Sequence, residues 1–190
     1  QFGLKLSESS VGRLLRQLVF SCQKPLYRAY QQNPEAVELW KETVFAEIKK
    51  RAKKLGATIY FEDEAGIRSD FHAGTTWAPK GKTPVVKVTG ARFSTNMVAA
   101  ISTRGHMRFM VNQGSVTADV LCDFLKRLMH NAQQPIFLIW DGHPTHKSKK
   151  VRECIESFEG KLEVYLLPSY SPELNPTEQV WRSVKNHGVG

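Results

Sequence analysis

Residues 136–141 read Ile-Phe-Leu-Ile-Trp-Asp, five apolar side chains in a row and then a carboxylate. A strand with one wet face alternates apolar and polar residues, so this unbroken run predicts a strand covered on both faces of an α/β sheet. Working outward, the chain after Gly56 alternates short apolar strands with amphipathic helices. The pattern predicts strands at 57–63, 93–102 and 105–111, the last two joined as a hairpin by Thr103-Arg104-Gly105. A helix at 117–130 opened by Thr117, a strand at 135–141, a helix at 147–158, a strand at 162–167 and a helix from Pro176 complete the order β-β-β-α-β-α-β-α. The stretch 64–92 reads as a long loop or added hairpin. Ligands of open α/β sheets gather outside the carboxyl ends of strands, which is where Asp141 falls.

Before Gly56 the pattern is helical. Ser9 or Ser10 is placed to cap a helix carrying Val11, Leu14, Leu15, Leu18 and Val19 on one side, with Arg13 and Arg16 opposite. A second helix is expected after Asn33-Pro34, with Asn as cap and Pro in the first turn, running through Trp40, Val44 and Ile48 to Lys54. Its last turns hold Lys49, Lys50, Arg51, Lys53 and Lys54, a solvated terminus that complements the helix dipole or else a face that tracks phosphates.

The 190 residues suit one main core, and 41% hydrophobic with 24% charged residues excludes disordered, collagenous and coiled-coil readings. No apolar run approaches the roughly 18 residues that a membrane span needs. Cys22, Cys122 and Cys154 stand far apart with no C-x-x-C pair, which argues against a disulfide framework and points to a reducing, intracellular setting. A net charge of +9 and a pI near 9.6 make nucleic acid the leading partner. The chain begins without Met and stops soon after its last helical pattern starts, as a piece of something longer would.

Three acids stand at the ends of predicted elements. In Ile59-Tyr60-Phe61-Glu62-Asp63-Glu64 the two-residue period puts Ile59, Phe61 and Asp63 on one face, and Tyr60, Glu62 and Glu64 on the other. Asp141 follows the apolar strand. Glu178 lies in Asn175-Pro176-Thr177-Glu178, where it is either part of a capping box or a free acid. Asp63 and Asp141 likewise have ordinary readings as turn residues. Taken together they fit phosphodiester cleavage, which uses two hard cations about 3.5 to 4 Å apart held by carboxylates from several elements.

The residues resemble those of a known family. Asp63-Glu64-Ala65-Gly66, then Trp140-Asp141-Gly142-His143-Pro144-Thr145-His146, then Leu167-Pro168-Ser169-Tyr170-Ser171-Pro172-Glu173-Leu174-Asn175-Pro176-Thr177-Glu178 look like the three signatures of DDE transposases, most of all the IS630 branch of the IS630/Tc1/mariner superfamily. The likeness covers about 57–187 and implies a ribonuclease H-like fold, a mixed central sheet flanked by helices. It implies that Asp63, Asp141 and Glu178 are the catalytic acids and ligands of Mg²⁺ or Mn²⁺, with two ions, acting on double-stranded DNA at transposon ends and in the target. The interval from Asp141 to Glu178 is slightly longer than usual for this branch, with the surplus expected at Glu156 to Lys161 and Glu173 as the fallback third acid. Glu64 is expected to be structural.

For DNA contacts, His146, Lys147, Lys149 and Lys150 are candidates after the second acid, and Lys80 and Lys82 in the loop near Trp77; support of the second metal shell is the other reading of His143 and His146. His143 reads as a loop residue, and the absence of a cysteine or helical histidine partner argues against zinc at His143 and His146. Ser10 to Leu15 resembles the last helix of a helix-turn-helix, so Arg13 and Arg16 are candidate groove readers. Residues 1–56 are thus expected to be a remnant of that module plus a linker, and 57–190 the catalytic domain. The family further implies a homodimer, insertion at TA, no membrane, and a cytoplasmic, nucleoid-associated location. The alternatives are a non-catalytic DNA-binding regulator or inactive remnant, and another ribonuclease H-like nuclease.

Overall fold

The computed structural model describes residues 6–22, 32–68, 79, 81 and 94–187. Packing divides the chain into two units, Gln1–Tyr30 and Gln31–Gly190. The first contains α1 (Glu8–Gln17), whose cap is Ser7, with its hydroxyl accepting from the Ser10 amide at 3.2 Å. Ser9 and Ser10, the expected caps, lie inside the first turn. The helix also ends before its apolar run does, because Val19 sits in the left-handed region at φ 64°.

The second unit opens with α2 (Pro34–Leu39), capped as expected by Asn33, whose Oδ1 accepts from the amides of Glu35 and Ala36. A single π turn, Trp40–Val44, joins α2 to α3 (Phe45–Leu55). A π turn brings residues five apart into line. Here it stacks Trp40 on Phe45 with ring centroids 5.3 Å apart, and lets Trp40 Nε1 donate to the carbonyl of Leu166 at 3.0 Å. The helix stops at Gly56, φ 67°, where a β-carbon would lie 2.9 Å from Gln134 Oε1.

Five strands follow: β1 (Thr58–Arg68), β2 (Ser94–Ser102), β3 (Met107–Gln113), β4 (Ile136–Trp140) and β5 (Leu162–Leu166). They form one sheet in the order β3-β2-β1-β4-β5, with β1, β2 and β3 antiparallel in sequence and β1, β4 and β5 parallel. The helices between and after them are α4 (Ala118–Met129), α5 (Lys149–Glu156) and α6 (Thr177–His187). All five residues of β4 are buried, as its apolar run predicts. Phe137 and Ile139 pack with Trp40, Ile48 and Ala52 on one face. Leu138 and Trp140 pack with Leu121, Phe124 and Val151 on the other.

One strand departs from the expected pattern. β1 does not end at residue 63; it runs on to Arg68, because β2 pairs with it from Tyr60↔Ser102 to Arg68↔Ser94. β4 accompanies it only from Thr58 to Phe61. Asp63 is therefore not a strand-end residue but stands two positions past the point where the parallel neighbour stops. Residues 64–68, read as loop, belong to the strand, and the rest of that stretch lies largely outside the described residues. Among the described residues, no helix is long and apolar enough to cross a membrane.

Trp40 joins the helical segment to the sheet by area and by a hydrogen bond. Trp40→Ala is expected to lower unfolding free energy by about 3 to 5 kcal/mol in urea titrations. Trp40→Phe should cost clearly less, about 1 to 2 kcal/mol for the lost hydrogen bond and smaller ring.

Candidate active site

Asp63 of β1, Asp141 directly after β4 and Glu178 in the first turn of α6 line one cavity of about 450 Å³, walled also by Leu167, Ser169 and Tyr170. Two buried polar side chains place the third acid. Asn175 Nδ2 donates to the carbonyl of Glu62 at 2.8 Å, and Thr177 Oγ1 donates to the carbonyl of Phe61 at 3.1 Å. Asn175 Oδ1 in turn accepts from the Thr177 amide at 3.1 Å. The start of α6 is thereby fastened to the backbone just ahead of Asp63.

A capping box would need Glu178 to accept from the Asn175 amide. That amide donates instead to the carbonyl of Pro172 at 2.9 Å, and Glu178 is exposed on the cavity. Glu173, the fallback, accepts from Gln32 Nε2 at 2.6 Å and is not part of the cavity wall. One turn after Glu178, Trp181 Nε1 donates to Asp63 Oδ2 at 3.1 Å, so α6 both supplies one acid and orients another.

The two aspartates differ electrically. Burial, then the charges of Glu178 and Asp141, push Asp63 up to about 6, against hydrogen bonds from the Glu64 backbone and Trp181. Asp141 is held below its ordinary range by the His146 hydrogen bond and by the His143 amide, which donates to its Oδ1 at 2.9 Å. His146 Nδ1 lies 3.0 Å from both that carboxylate oxygen and the Asp141 carbonyl. Its ring stacks on Trp140 at 4.3 Å with an interplanar angle of 6°. Burial disfavours its charge, yet Asp141, Glu64 and Glu62 outweigh this and raise it to about 10.

His146 was expected either to contact a substrate phosphate or to support the second metal shell. With its side chain 3% exposed it has no surface for a phosphate, and its Nδ1 lies against Asp141, as the second of these readings would have it. Among the lysines, Lys147 Nζ would stand 3.4 Å from a β-carbon at Gly142, beside the second acid. Lys149 pairs with Glu153, and Lys150 with Asp119 of α4, both on the surface. Arg13 and Arg16 are on α1 in the other unit. Lys80 and Lys82 lie outside the described residues, as does Trp77. His143 Nδ1 accepts from the Thr145 amide at 3.4 Å, and the residue also lines the cavity of the three acids.

Residues that sequence reasoning passed over are Asn175 and Thr177 as fasteners, Trp181 as the partner of Asp63, and Glu62, which is fully buried. A signal existed for Glu62: it shares a strand face with Tyr60 in an otherwise apolar run.

Residues 58–189, more than half of the chain, match a family described as DDE superfamily endonuclease. The chain belongs to this DDE endonuclease family. Residues 1–44 match a winged helix-turn-helix family. The insertion element IS630 uncharacterized 39 kDa protein of Shigella sonnei is 25% identical over 128 residues, covering 66% of this chain and 37% of the relative. Among solved structures, the Mos1 strand transfer complex has a TM-score of 0.67 at 20% identity, over 97% of this chain and 57% of that one. The Mos1 mariner paired end complex with Mn has a TM-score of 0.66 at 18% identity, over 97% and 58%. The catalytic domain of Mos1 mariner transposase has a TM-score of 0.56 at 20% identity, over 86% and 76%. These likenesses are of fold, and the fold of the DDE endonuclease domain is ribonuclease H-like. The chain spans little more than a third of the IS630 relative and a little over half of the Mos1 chains in the complexes.

The weakened acidity of Asp63 gives a pH test in metal-free protein. Its carboxyl holds a proton more tightly in the folded state, so the stability it contributes is present below about pH 4 and is lost as pH rises through about 6. Asp63→Asn should therefore stabilise the chelator-treated protein at pH 7.5, by about 1 to 2 kcal/mol after allowing for solvent screening. The gain should vanish by pH 4, as read in thermal melts.

Proposed function

We propose that residues 57–190 are the catalytic domain of a DNA transposase and that residues 1–56 are a helical remnant of its DNA-binding module with a linker. The activity inferred is metal-dependent cleavage of phosphodiester bonds at transposon ends, followed by joining of the freed 3′-hydroxyl to target DNA. One observation carries this reading: three carboxylates from β1, the end of β4 and α6 meet in a single cavity.

That donor set fits hard divalent cations, which prefer carboxylate oxygens. Burial and then the charges of Glu178 and Asp141 raise Asp63, and a bound cation would offset both. Asp63, Asp141 and Glu178 would hold Mg²⁺ or Mn²⁺, two ions in the reading preferred here. When bound, a metal pair activates the attacking oxygen and stabilises the leaving one. The chain's own residues prepare the place: Trp181 fixes Asp63, the His143 amide and His146 fix Asp141 in its ionised form, and Asn175 with Thr177 set Glu178. Lys147 beside Gly142 is positioned to neutralise a DNA phosphate at the rim. The charge of +9 favours DNA over other substrates, and Arg13 and Arg16 of α1 are groove-reading candidates in the segment that matches a winged helix-turn-helix. The working form in this reading is a homodimer on double-stranded DNA, in the cytoplasm with the nucleoid; the winged helix-turn-helix match supports the DNA contact.

Nicking of supercoiled plasmid in Mg²⁺ is expected, with loss on chelation. Asp63→Asn and Asp141→Asn should each lower the rate by about 10³-fold or more, several kcal/mol of charge stabilisation. DNA affinity should stay within about threefold, since cations rather than these acids supply it. Undiminished nicking by Asp141→Asn would refute the assignment. Binding without any nicking by the parent chain would favour the DNA-binding regulator instead.

A further inference from the structure

The face of β1 opposite Asp63 carries a second group of ligand atoms that the proposed reaction does not use. Glu62 and Glu64 point to that face by strand alternation, and His146 Nε2 approaches both, 3.7 Å from Glu62 Oε2 and 3.5 Å from Glu64 Oε1. Glu62 is completely buried against the main apolar core, and neither of its carboxylate oxygens has a hydrogen-bond partner. His146 Nε2 and Glu64 Oε1 are also buried without one. A buried carboxylate left unbonded costs several kcal/mol, which a proton on Glu62, the imidazolium of His146 or a bound metal cation relieves.

The two distances from His146 Nε2 bear on the kind of cation. They exceed the 2.7 to 3.2 Å of a good N–H···O bond. Ligands about 2.0 to 2.2 Å from a tetrahedral ion stand about 3.4 Å apart, close to what is seen. Neighbouring ligands of octahedral Mg²⁺ at about 2.0 to 2.1 Å would stand about 2.9 Å apart. The three ligand atoms lie within 4.8 Å of one another. The far side of the imidazole is already oriented, with Nδ1 at 3.0 Å from the Asp141 carboxylate and carbonyl, the carboxylate–histidine–metal arrangement of zinc proteins. Access runs through Glu64, partly exposed on a second cavity of about 340 Å³ that also touches Gly66 and Asn96.

We propose that Glu62, Glu64 and His146 Nε2 form a tetrahedral Zn²⁺ site, completed by a water, separate from the cavity of Asp63, Asp141 and Glu178. The ion ties β1 to the loop after β4 and holds His146 so that its Nδ1–H donates to Asp141. Ligation at Nε2 expels any proton there to solvent.

The test uses the full chain, stripped with chelator, given Zn²⁺ and gel-filtered. Asp63→Asn/Glu178→Gln dismantles the other cavity, so failure here and failure of the transposase reading are read separately. This double variant should retain one zinc per chain by elemental analysis, an X-ray absorption spectrum with imidazole and oxygen but no sulfur ligands, and a thermal midpoint raised by zinc. Adding Glu62→Gln or Glu64→Gln should weaken zinc binding at least tenfold; Glu64→Gln, at a partly exposed position, serves if Glu62→Gln fails to fold by circular dichroism. No zinc in the double variant, a sulfur shell from the cysteines, or unchanged affinity in the folded glutamine variants would overturn the proposal and leave an ion pair between a protonated His146 and the glutamates.

Discussion

The arrangement of the acids depends on two hydrogen bonds from buried side chains. Asn175 and Thr177 bond the carbonyls of Glu62 and Phe61, and so join the first turn of α6 to β1 immediately before Asp63. Both groups are buried, so a partner lost on either side would leave an unsatisfied polar atom in the core. That asymmetry favours this register of α6 on β1, since another would leave the Asn175 amide group and the two β1 carbonyls without these partners. The place for the junction exists because β4 stops alongside Phe61 while β1 continues beside β2.

The same end of the sheet concentrates charge of one sign inside a molecule whose net charge is of the other. Asp63 gives up part of its acidity to burial and to its two neighbours, whereas Asp141 keeps its charge through His146. His146 thus sits between two acidic groups, one on each face of β1, with Asp141 on its Nδ1 and the two glutamates on its Nε2. A basic exterior attracts a polyanion, and the acidic interior accepts cations at the point where that polyanion would be cut.

Much of this was legible in the sequence because its signals are local. The apolar run of β4, the Asn33-Pro34 helix start and the Thr117 cap are properties of a few adjacent residues, and the fold realises each of them. The three acids were found through motifs, and the cavity brings all three together. What was not legible depends on partners distant in the chain. The length of β1 is set by β2, some thirty residues on. Glu178 reads as a capping residue until the Pro172 carbonyl is seen to take the amide it would need. His146 reads as a phosphate contact or a support of the metal shell, and only Trp140, Asp141 and the glutamates of β1, which enclose it, decide between them. The contact of Trp181 with Asp63 joins residues more than a hundred positions apart, and no spacing rule predicts it.

The central claim is that side chains from β1, the end of β4 and α6 act as one ligand set for divalent metal. Diffraction from crystals soaked in Mn²⁺, recorded at the manganese absorption edge, measures this directly. The account predicts anomalous peaks inside the cavity, within bonding distance of carboxylate oxygens from Asp63, Asp141 and Glu178. Peaks confined to other surfaces, with any of these three carboxylates turned away from the metal, would contradict it.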